Sequence, residues 1–459
     1  MTDYRSRPRH AGRFPRSFIG AAMLVALVCG APGSTLAITL EDAVEQALAS
    51  NPTVLQAEAE MRAAGHDVRQ ARAGYFPSLD LDTRYGREHT NIKQLSVAGN
   101  DVDDLWRRES GLTVTQLLWD GNATRSEVHR RVSLLNSAEH SLADTRNALA
   151  FRAAEAYLDV LRNRELVELA RGNAESHART LENVRAKFKS GVGNKADVEQ
   201  ATARLALAHS TVAAREGALL EAQARYERVV GDAPSADLAR PQVGPSGLVK
   251  AGAVDPAELS TATDSAQQRA LSDHPLVLQS TADVEAAQAA IKAARAGYHP
   301  QINLEGSLRR DNNLAGVAGN RNADALMVVA RWNLFRGGAD RARELAAAER
   351  KVSAQDQLED AMRRIAENVA IAYQARATSE SRITYLGQHV ASSEGTLQAY
   401  RAQFELNRRT LLDVLNAENE LFNARSNLVI GTYDDIVNSY FVDASVGSLA
   451  SRFGGAGTP

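Results

Sequence analysis

Cysteine is almost absent from this chain: Cys29 is the only one among 459 residues. It lies in a short apolar stretch, Phe18 to Ala31, which follows five arginines. A basic segment, a short apolar segment and small residues up to Ala37 are typical of a secretory signal peptide, so we expect residues 1–37 to be one. The mature chain would then form no disulfide, even in an oxidising compartment. Lipid modification of Cys29 stays open as an alternative.

Long hydrophobic runs, aromatic residues and strong net charge are missing too. Beyond the signal segment no run of about 18 apolar residues occurs, which excludes a transmembrane helix. Aromatic residues make up 5% of the chain, and the net charge of −3 gives no strong attraction to nucleic acid. Proline is absent between Pro77 and Pro234 and between Pro300 and Pro459. Such proline-free spans predict long helices.

The chain contains an internal repeat. The sequence Ala73-Gly74-Tyr75-Phe76-Pro77 returns at 296–300 as Ala-Gly-Tyr-His-Pro, 223 positions later. Farther along the offset is 216, and Trp119-Asp120-Gly121 then matches Phe335-Arg336-Gly337. Two offsets that hold over many residues indicate a tandem duplication of one structural unit.

Proline and glycine mark the boundaries of the two copies. We expect a first repeat over 38–240, a linker over 241–262, a second repeat over 263–447 and a flexible tail over 448–459. Each copy should contain a helix, a pair of strands and a long helical hairpin. The predicted elements of the first copy, with those of the second in parentheses, are a helix from Leu40 to Ala73 (Ser265 to Ala296), strands within 76–119 (299–335), and helices over 122–189 and 195–230 (338–406 and 411–446).

The long helices carry two opposed apolar faces. Leu149, Ala153 and Ala156 share one face, and Ala154 and Leu158 share the other. Such a helix has a neighbour on each side, either in the wall of a closed ring or in an ordinary antiparallel bundle. The turns that join the paired helices contain Gly191 and Gly193 in the first copy and Asn407 in the second.

The predicted strands alternate apolar and polar residues. Leu79 and Leu81 alternate with Asp80 and Asp82, and the second copy repeats this pattern. One side of a later strand is expected to carry Leu326, Val328, Ala330, Trp332 and Leu334. The alternation is typical of membrane barrel strands, and also of a half-buried soluble sheet. The absence of another obvious core favours the membrane barrel.

Four strands cannot close a barrel, and an open edge in lipid leaves backbone groups unpaired. Several chains must therefore each supply four strands. Two chains would give eight strands and three would give twelve, of which only the larger barrel leaves an appreciable lumen.

With these features the chain resembles the TolC family of Gram-negative outer membrane factors, over nearly all of its mature length. Each motif is weak alone, but their order and duplicated spacing are specific. The motifs are Ile38-Thr39-Leu40-Glu41-Asp42-Ala43, Asn51-Pro52, Leu118-Trp119-Asp120-Gly121, Gly191-x-Gly193-x-x-x-Asp197-Val198 and Arg409-Thr410-Leu411-Leu412-Asp413-Val414-Leu415.

The resemblance implies a mainly α-helical protein with a β-barrel part. It implies a homotrimer, with a twelve-stranded barrel in outer membrane lipid above a periplasmic α-helical tunnel. The implied partners are a periplasmic membrane-fusion adaptor and an inner-membrane ABC transporter or RND pump. The sequence is most similar to the type I secretion and agglutination-protein group, whose cargo is an unfolded polypeptide.

Two alternatives stay open: a multidrug-efflux channel of the same fold, and, more remotely, a secreted or periplasmic coiled-coil scaffold. An enzyme is not expected, because the ten histidines are scattered and no nucleophile motif occurs. Neither a cofactor nor a metal nor a nucleic acid partner is predicted.

The resemblance also implies a gate at the periplasmic end. Residues that match Asp197, Phe404 and Arg409 tie neighbouring helix pairs in the closed state. Phe404 stands where the family usually has tyrosine, so its hydroxyl link is lost and Asp197 with Arg409 would be the remaining tie. The alternative role of Asp197 is simpler, since it lies three residues after Asn194 and fits a helix cap.

The resemblance further implies an acidic ring at the tunnel entrance. The family's two acidic residues, one helical turn apart, match Asp413 and Asn416, so this chain keeps one acid and lacks the other. Asp413 also fits a capping box that begins at Thr410. The two roles are compatible, because a capping aspartate can still face the lumen.

Overall fold

The computed structural model describes residues 37–90, 103–235, 237–241, 256–315, 317–406 and 408–454. The predicted signal peptide up to residue 36, with Cys29, lies outside the described residues. A one-turn 3-10 helix at Ala296–Tyr298 precedes the third strand. The other elements are α1 Leu40–Ser50, α2 Pro52–Ala73, β1 Ser78–Thr90, β2 Asp103–Trp119, α3 Ala123–Lys189, α4 Lys195–Val230, α5 Pro256–Asp273, α6 Pro275–Arg295, β3 Gln301–Leu314, β4 Val317–Arg331, α7 Ala339–Glu405, α8 Leu411–Ser445 and α9 Leu449–Arg452.

The first predicted helix of each copy is in fact two helices. Asn51 is extended (ψ 128°) and separates α1 from α2, and His274 (ψ 129°) separates α5 from α6 in the same way. The following residues, Pro52 and Pro275, disfavour a helical conformation at the residue before them. Asn51 also caps α2 by accepting a hydrogen bond from the Thr53 backbone N–H. Our prediction of an unbroken helix was therefore wrong.

Three predicted boundaries also differ from the structure. Helix α5 begins at Pro256, so the end of the predicted linker is helical. Strand β4 ends at Arg331, so Trp332 and Leu334 lie beyond it. The start of the predicted flexible tail is ordered as α9, since Leu449 and Phe453 are both buried in the core. Leu449 begins this short helix and Phe453 directly follows its last residue.

The four strands form one antiparallel sheet in the order β1-β2-β3-β4. Strand β2 of the first copy pairs with β3 of the second, so the two copies are joined in one sheet. In the described part of the chain, β1 and β4 each have one edge without a strand partner. These edges are ready to pair with strands of another chain.

The two faces of the sheet differ in polarity. The paired strands place the leucines and valines of the alternating pattern on one face. This face is exposed in the isolated chain, with 72% of Leu81 and 74% of Leu326 accessible. The other face carries ion pairs such as Arg331 with Glu305, whose nitrogen and oxygen are 2.8 Å apart. The leucine-bearing face also carries ion pairs, such as Arg310 with Asp324, toward the end of the sheet that is far from the helices. The apolar set is Leu79, Leu81, Leu112, Val114, Leu304, Leu308, Leu326 and Val328.

The main core lies where α3 and α4 of the first copy meet α1, the end of α8 and α9. Tyr157 is fully buried there, and its hydroxyl lies 2.7 Å from the Ile38 carbonyl oxygen and 2.6 Å from that of Ala239. The Tyr157 hydroxyl thereby joins the two ends of the first copy, whose backbones also pair in parallel at Ile38 and Leu238. Helix α3 packs against α4 and also against α2, α6 and α8, as its two apolar faces require. Across the described ranges, we find no helix with the length and apolarity that a membrane span requires.

Candidate functional site

The ends of the two long hairpins bring together most of the predicted site residues. The α3–α4 turn needs both of its glycines. Gly191 has φ +80°, and a Cβ on Gly193 would lie 2.9 Å from the Phe188 backbone nitrogen. Asn407, predicted in the α7–α8 turn, lies outside the described residues.

The two hairpin ends pack against each other through a small apolar cluster. Leu181 and Val184 of α3 and Ala201 of α4 contact Leu411 and Leu415 of α8. The contact places the α8 end, with its predicted entrance residues, directly on the first hairpin.

Phe404 and Arg409 lie at this contact. Phe404 packs at the edge of the apolar cluster, and the Lys187 ammonium lies 4.2 Å from the centre of its ring. Arg409 stacks over the Tyr400 ring at 4.2 Å, and its Nε donates a hydrogen bond to the Gln403 side chain at 3.0 Å. Phe404 thus links the hairpins by packing, while Arg409 is held by residues of α7.

Asp197 is not joined to Arg409 within the chain. The Asp197 backbone N–H donates to Asn194 Oδ1 at 2.8 Å, which is the cap of α4. Arg409 instead has its Nη1 3.7 Å from Asp413 Oδ2. Asn194 is therefore the residue that caps α4, and the described contacts include no hydrogen bond that the Asp197 carboxylate accepts from Asn194. The role of Asp197 in a gate stays a prediction.

Asp413 closes a complete capping box at the start of α8. Its Oδ2 accepts hydrogen bonds from the Thr410 hydroxyl at 2.8 Å and the Thr410 backbone N–H at 3.3 Å. In return, the Thr410 hydroxyl accepts from the Asp413 backbone N–H. The Thr410 side chain, together with the Thr410 backbone and the Arg409 charge, holds the pKa of Asp413 below its usual value. Asp413 is therefore a stable negative charge at neutral pH.

Asn416, the position where the second acid is missing, lies one turn farther along α8 and is exposed. Its Oδ1 accepts a hydrogen bond from Arg204 Nη2 of α4 at 3.0 Å. The structure thus places a positive charge beside this position, and Arg204 was not among the residues that the sequence suggested.

A buried charged cluster, not predicted from the sequence, lies a short distance behind the hairpin ends. The Glu418 carboxylate of α8 is 2% exposed, and its Oε1 is 2.6 Å from Arg401 Nη2 of α7. Its Oε2 is 3.2 Å from His177 Nδ1 of α3, without the angle of a hydrogen bond. Ser176 and Thr180 hydroxyls of α3 donate to Oε1 at 3.2 and 3.3 Å. We call these five residues the Glu418 cluster.

Burial acts to raise the pKa of Glu418, but the attractive interactions with the neighbouring His177 and Arg401 outweigh it and lower the pKa to about 2. The amino-acid sequence alone contained an indication of this buried cluster. Glu418 occupies a position of the buried stripe of α8, between Val414 and Leu421. His177 likewise lies between buried apolar residues of α3. An ionisable residue in an apolar stripe is uncommon without a partner.

Comparison with known proteins shows the same two-copy organisation. The outer membrane efflux protein family matches residues 43–232 and again 266–437, one match on each copy. Among individual proteins, the outer membrane efflux protein BepC of Brucella suis is 23% identical over 437 residues, which cover 95% of this chain and 91% of BepC. The alkaline protease secretion protein AprF of Pseudomonas aeruginosa is 26% identical over 409 residues, covering 87% of this chain and 82% of AprF.

A solved structure has the same fold. The Campylobacter jejuni CmeC outer membrane channel superposes with a TM-score of 0.77 at 16% identity, over 89% of this chain and 85% of CmeC. The long hairpins and the four-stranded sheet are therefore those of a known channel fold.

Proposed function

Because this chain belongs to the outer membrane efflux protein family, we propose that it is the outer membrane duct of a type I secretion system. Members of the family are outer membrane channel proteins and not enzymes, so the predicted location and the predicted lack of catalysis are confirmed. The proposed cargo is an unfolded polypeptide, driven by an inner-membrane ABC transporter through a periplasmic adaptor.

The observation that carries this cargo class is the similarity to AprF, whose name records secretion of a protease. BepC, which is named an efflux protein, supports the second candidate, a channel of a multidrug-efflux pump with an RND partner. Both candidates use the same duct, and they differ in the transporter behind it.

A gene deletion separates the two candidates. If the duct serves type I secretion, the deletion strain loses one or a few polypeptides from its culture medium and keeps its resistance to drugs and detergents. The measurement pairs mass spectrometry of the medium with growth inhibition assays, and a plasmid copy of the gene serves as control. Unchanged secretion with lowered drug resistance would contradict the secretion proposal and support efflux.

The sheet supports assembly as a homotrimer. Strands β1 and β4 have open edges, and three sheets of four strands would pair these edges in a closed twelve-stranded barrel. The exposed apolar face would then contact lipid and the opposite face would line the lumen. A coiled-coil scaffold in water would leave this apolar face exposed to solvent, which is unfavourable for a soluble protein.

Two neighbouring residues of β2 test this orientation. Val114 lies opposite Leu79 on the apolar face, and Thr113 lies opposite Asp80 on the other face. We expect Val114→Arg to lower the amount of folded oligomer in the outer membrane strongly, because arginine facing lipid costs about 2–4 kcal/mol near the bilayer midplane. Thr113→Arg should be tolerated. Membrane fractionation and unheated gel electrophoresis measure the oligomer, and equal effects of the two variants would refute the orientation.

We place the gate and the entrance of the duct at the hairpin ends. Asp197, Phe404 and Arg409 would control opening there, and Asp413 would set the charge of the entrance. Phe404 supports this assignment because it packs where the two hairpins meet.

A further inference from the structure

The Glu418 cluster joins three helices that belong to two different hairpins. His177, Ser176 and Thr180 come from α3 of the first hairpin. Arg401 and Glu418 come from α7 and α8 of the second. Any movement of the second hairpin away from the first must separate the carboxylate from its α3 partners.

The cluster is asymmetric in its burial. The Glu418 carboxylate and His177 are almost fully enclosed, whereas the Arg401 side chain is 48% exposed. Arg401 Nη2 bridges the hairpins, because it also donates a hydrogen bond to Ser176 Oγ at 2.9 Å. A buried carboxylate is costly without its partners, so the enclosed acid favours the arrangement in which Arg401 and α3 surround it.

We propose that the Glu418 cluster is an opening lock, which holds the two hairpins together and must break before the mouth of the duct can widen. This inference rests on the proposed function, since it takes the hairpin ends to be the mouth. It differs from the predicted gate, which involves Asp197, Phe404 and Arg409 at the outermost turns. Here the resistance to opening comes from charge buried behind those turns.

The acidity of Glu418 gives the lock a defined pH range. The pKa of Glu418 is about 2 in the folded chain, against 4.5 for the free group. A lowered carboxyl pKa stabilises the folded arrangement above the free value, and this contribution is lost as the pH falls towards about 2. Glu418 is therefore ionised at neutral pH, and Glu418→Gln should remove this part of the acid response.

Substitutions in the cluster test the lock in planar bilayers. We expect Glu418→Gln to raise the open probability about tenfold, which corresponds to about 1.4 kcal/mol. Arg401→Gln should also raise the open probability. It should disturb folding less than Glu418→Gln, because the Arg401 side chain is half-exposed. In the double variant the increase should be no larger than in the stronger single variant, since both changes break the same interaction.

A matched control lies in the same hairpin. Glu394 of α7 pairs with Arg425 of α8 at 2.5 Å, so this pair joins helices within one hairpin and not between the two. Glu394→Gln should leave the open probability unchanged. An unchanged open probability in both cluster variants, or an equal increase in the control, would overturn the lock.

A second measurement separates failure of the lock from failure of the proposed function. If the wild-type protein forms no conducting channel, the duct itself is refuted. Hydrogen exchange of the α8 segment 411–421 still reports on the hairpin contact in that case. Faster exchange in Glu418→Gln than in Glu394→Gln supports a contact that holds the hairpins together. Equal exchange in these two variants overturns it.

Discussion

Replacing Asp413 by asparagine should abolish block of the channel by multivalent cations. In a trimer, three Asp413 side chains would form the ring of negative charge at the entrance, and a narrow mouth concentrates such a field. The substitution removes all three charges but keeps an oxygen that can accept the Thr410 hydrogen bonds, so the cap of α8 should persist. We expect the mild cation preference of the wild type to fall in parallel.

Block is measured in bilayers by adding a trivalent cation on the side of the hairpin ends, and selectivity by the reversal potential in a salt gradient. Glu199→Gln is the control, because it removes another exposed acid near the same end of the helices. If Asp413→Asn leaves block and selectivity intact but lowers thermal stability, Asp413 acts only as a cap.

The same recordings test the neighbouring residues. Family resemblance alone predicts that Asn416→Asp tightens block, but the Arg204 guanidinium would neutralise much of the new charge. Tighter block is therefore expected mainly when Arg204→Gln is combined with Asn416→Asp.

Arg409→Ser should raise single-channel conductance by loosening the outermost turn, whereas Arg408→Ser, which removes an adjacent positive charge, should not.

Much of this architecture was predictable, because the decisive patterns are local. Absent prolines and two apolar faces indicate long paired helices, and period-2 alternation indicates the strands. The breaks at Asn51 and His274 were missed although a proline, Pro52 or Pro275, follows each of these residues. After each break the helical pattern of apolar residues continues in nearly the same phase, so periodicity alone does not reveal the break. The residue before each proline was the better guide.

The Glu418 cluster shows the opposite case. Its members lie on α3, α7 and α8, and their pairing depends on how two hairpins pack. An acid in an apolar stripe could be recognised from the sequence, but not its partners. In the same way, Arg204 reaches Asn416 only because α4 and α8 meet at the hairpin ends. Interactions between distant segments are decided by tertiary packing, which no local pattern encodes.

The duplication supplies a matched pair of glycines for the last prediction. Gly121 and Gly337 occupy equivalent positions in the two copies, just after the second strand of each pair. Both are left-handed, with φ +67° and +61°. Their surroundings differ, because a Cβ on Gly121 would lie 2.7 Å from the His299 Cβ, whereas a Cβ on Gly337 meets no described atom within 4 Å.

Gly121→Ala is therefore expected to destabilise the protein far more than Gly337→Ala. A left-handed alanine costs about 1–2 kcal/mol at either site. The collision at Gly121 should add about 1–3 kcal/mol, because His299 also packs edge-to-face on Trp119, with ring centres 5.6 Å apart, and cannot easily move. Thermal unfolding of the detergent-solubilised protein, followed by helical circular dichroism, measures both variants. Equal losses would show that His299 yields and that the junction of β2 with α3 is not closely packed.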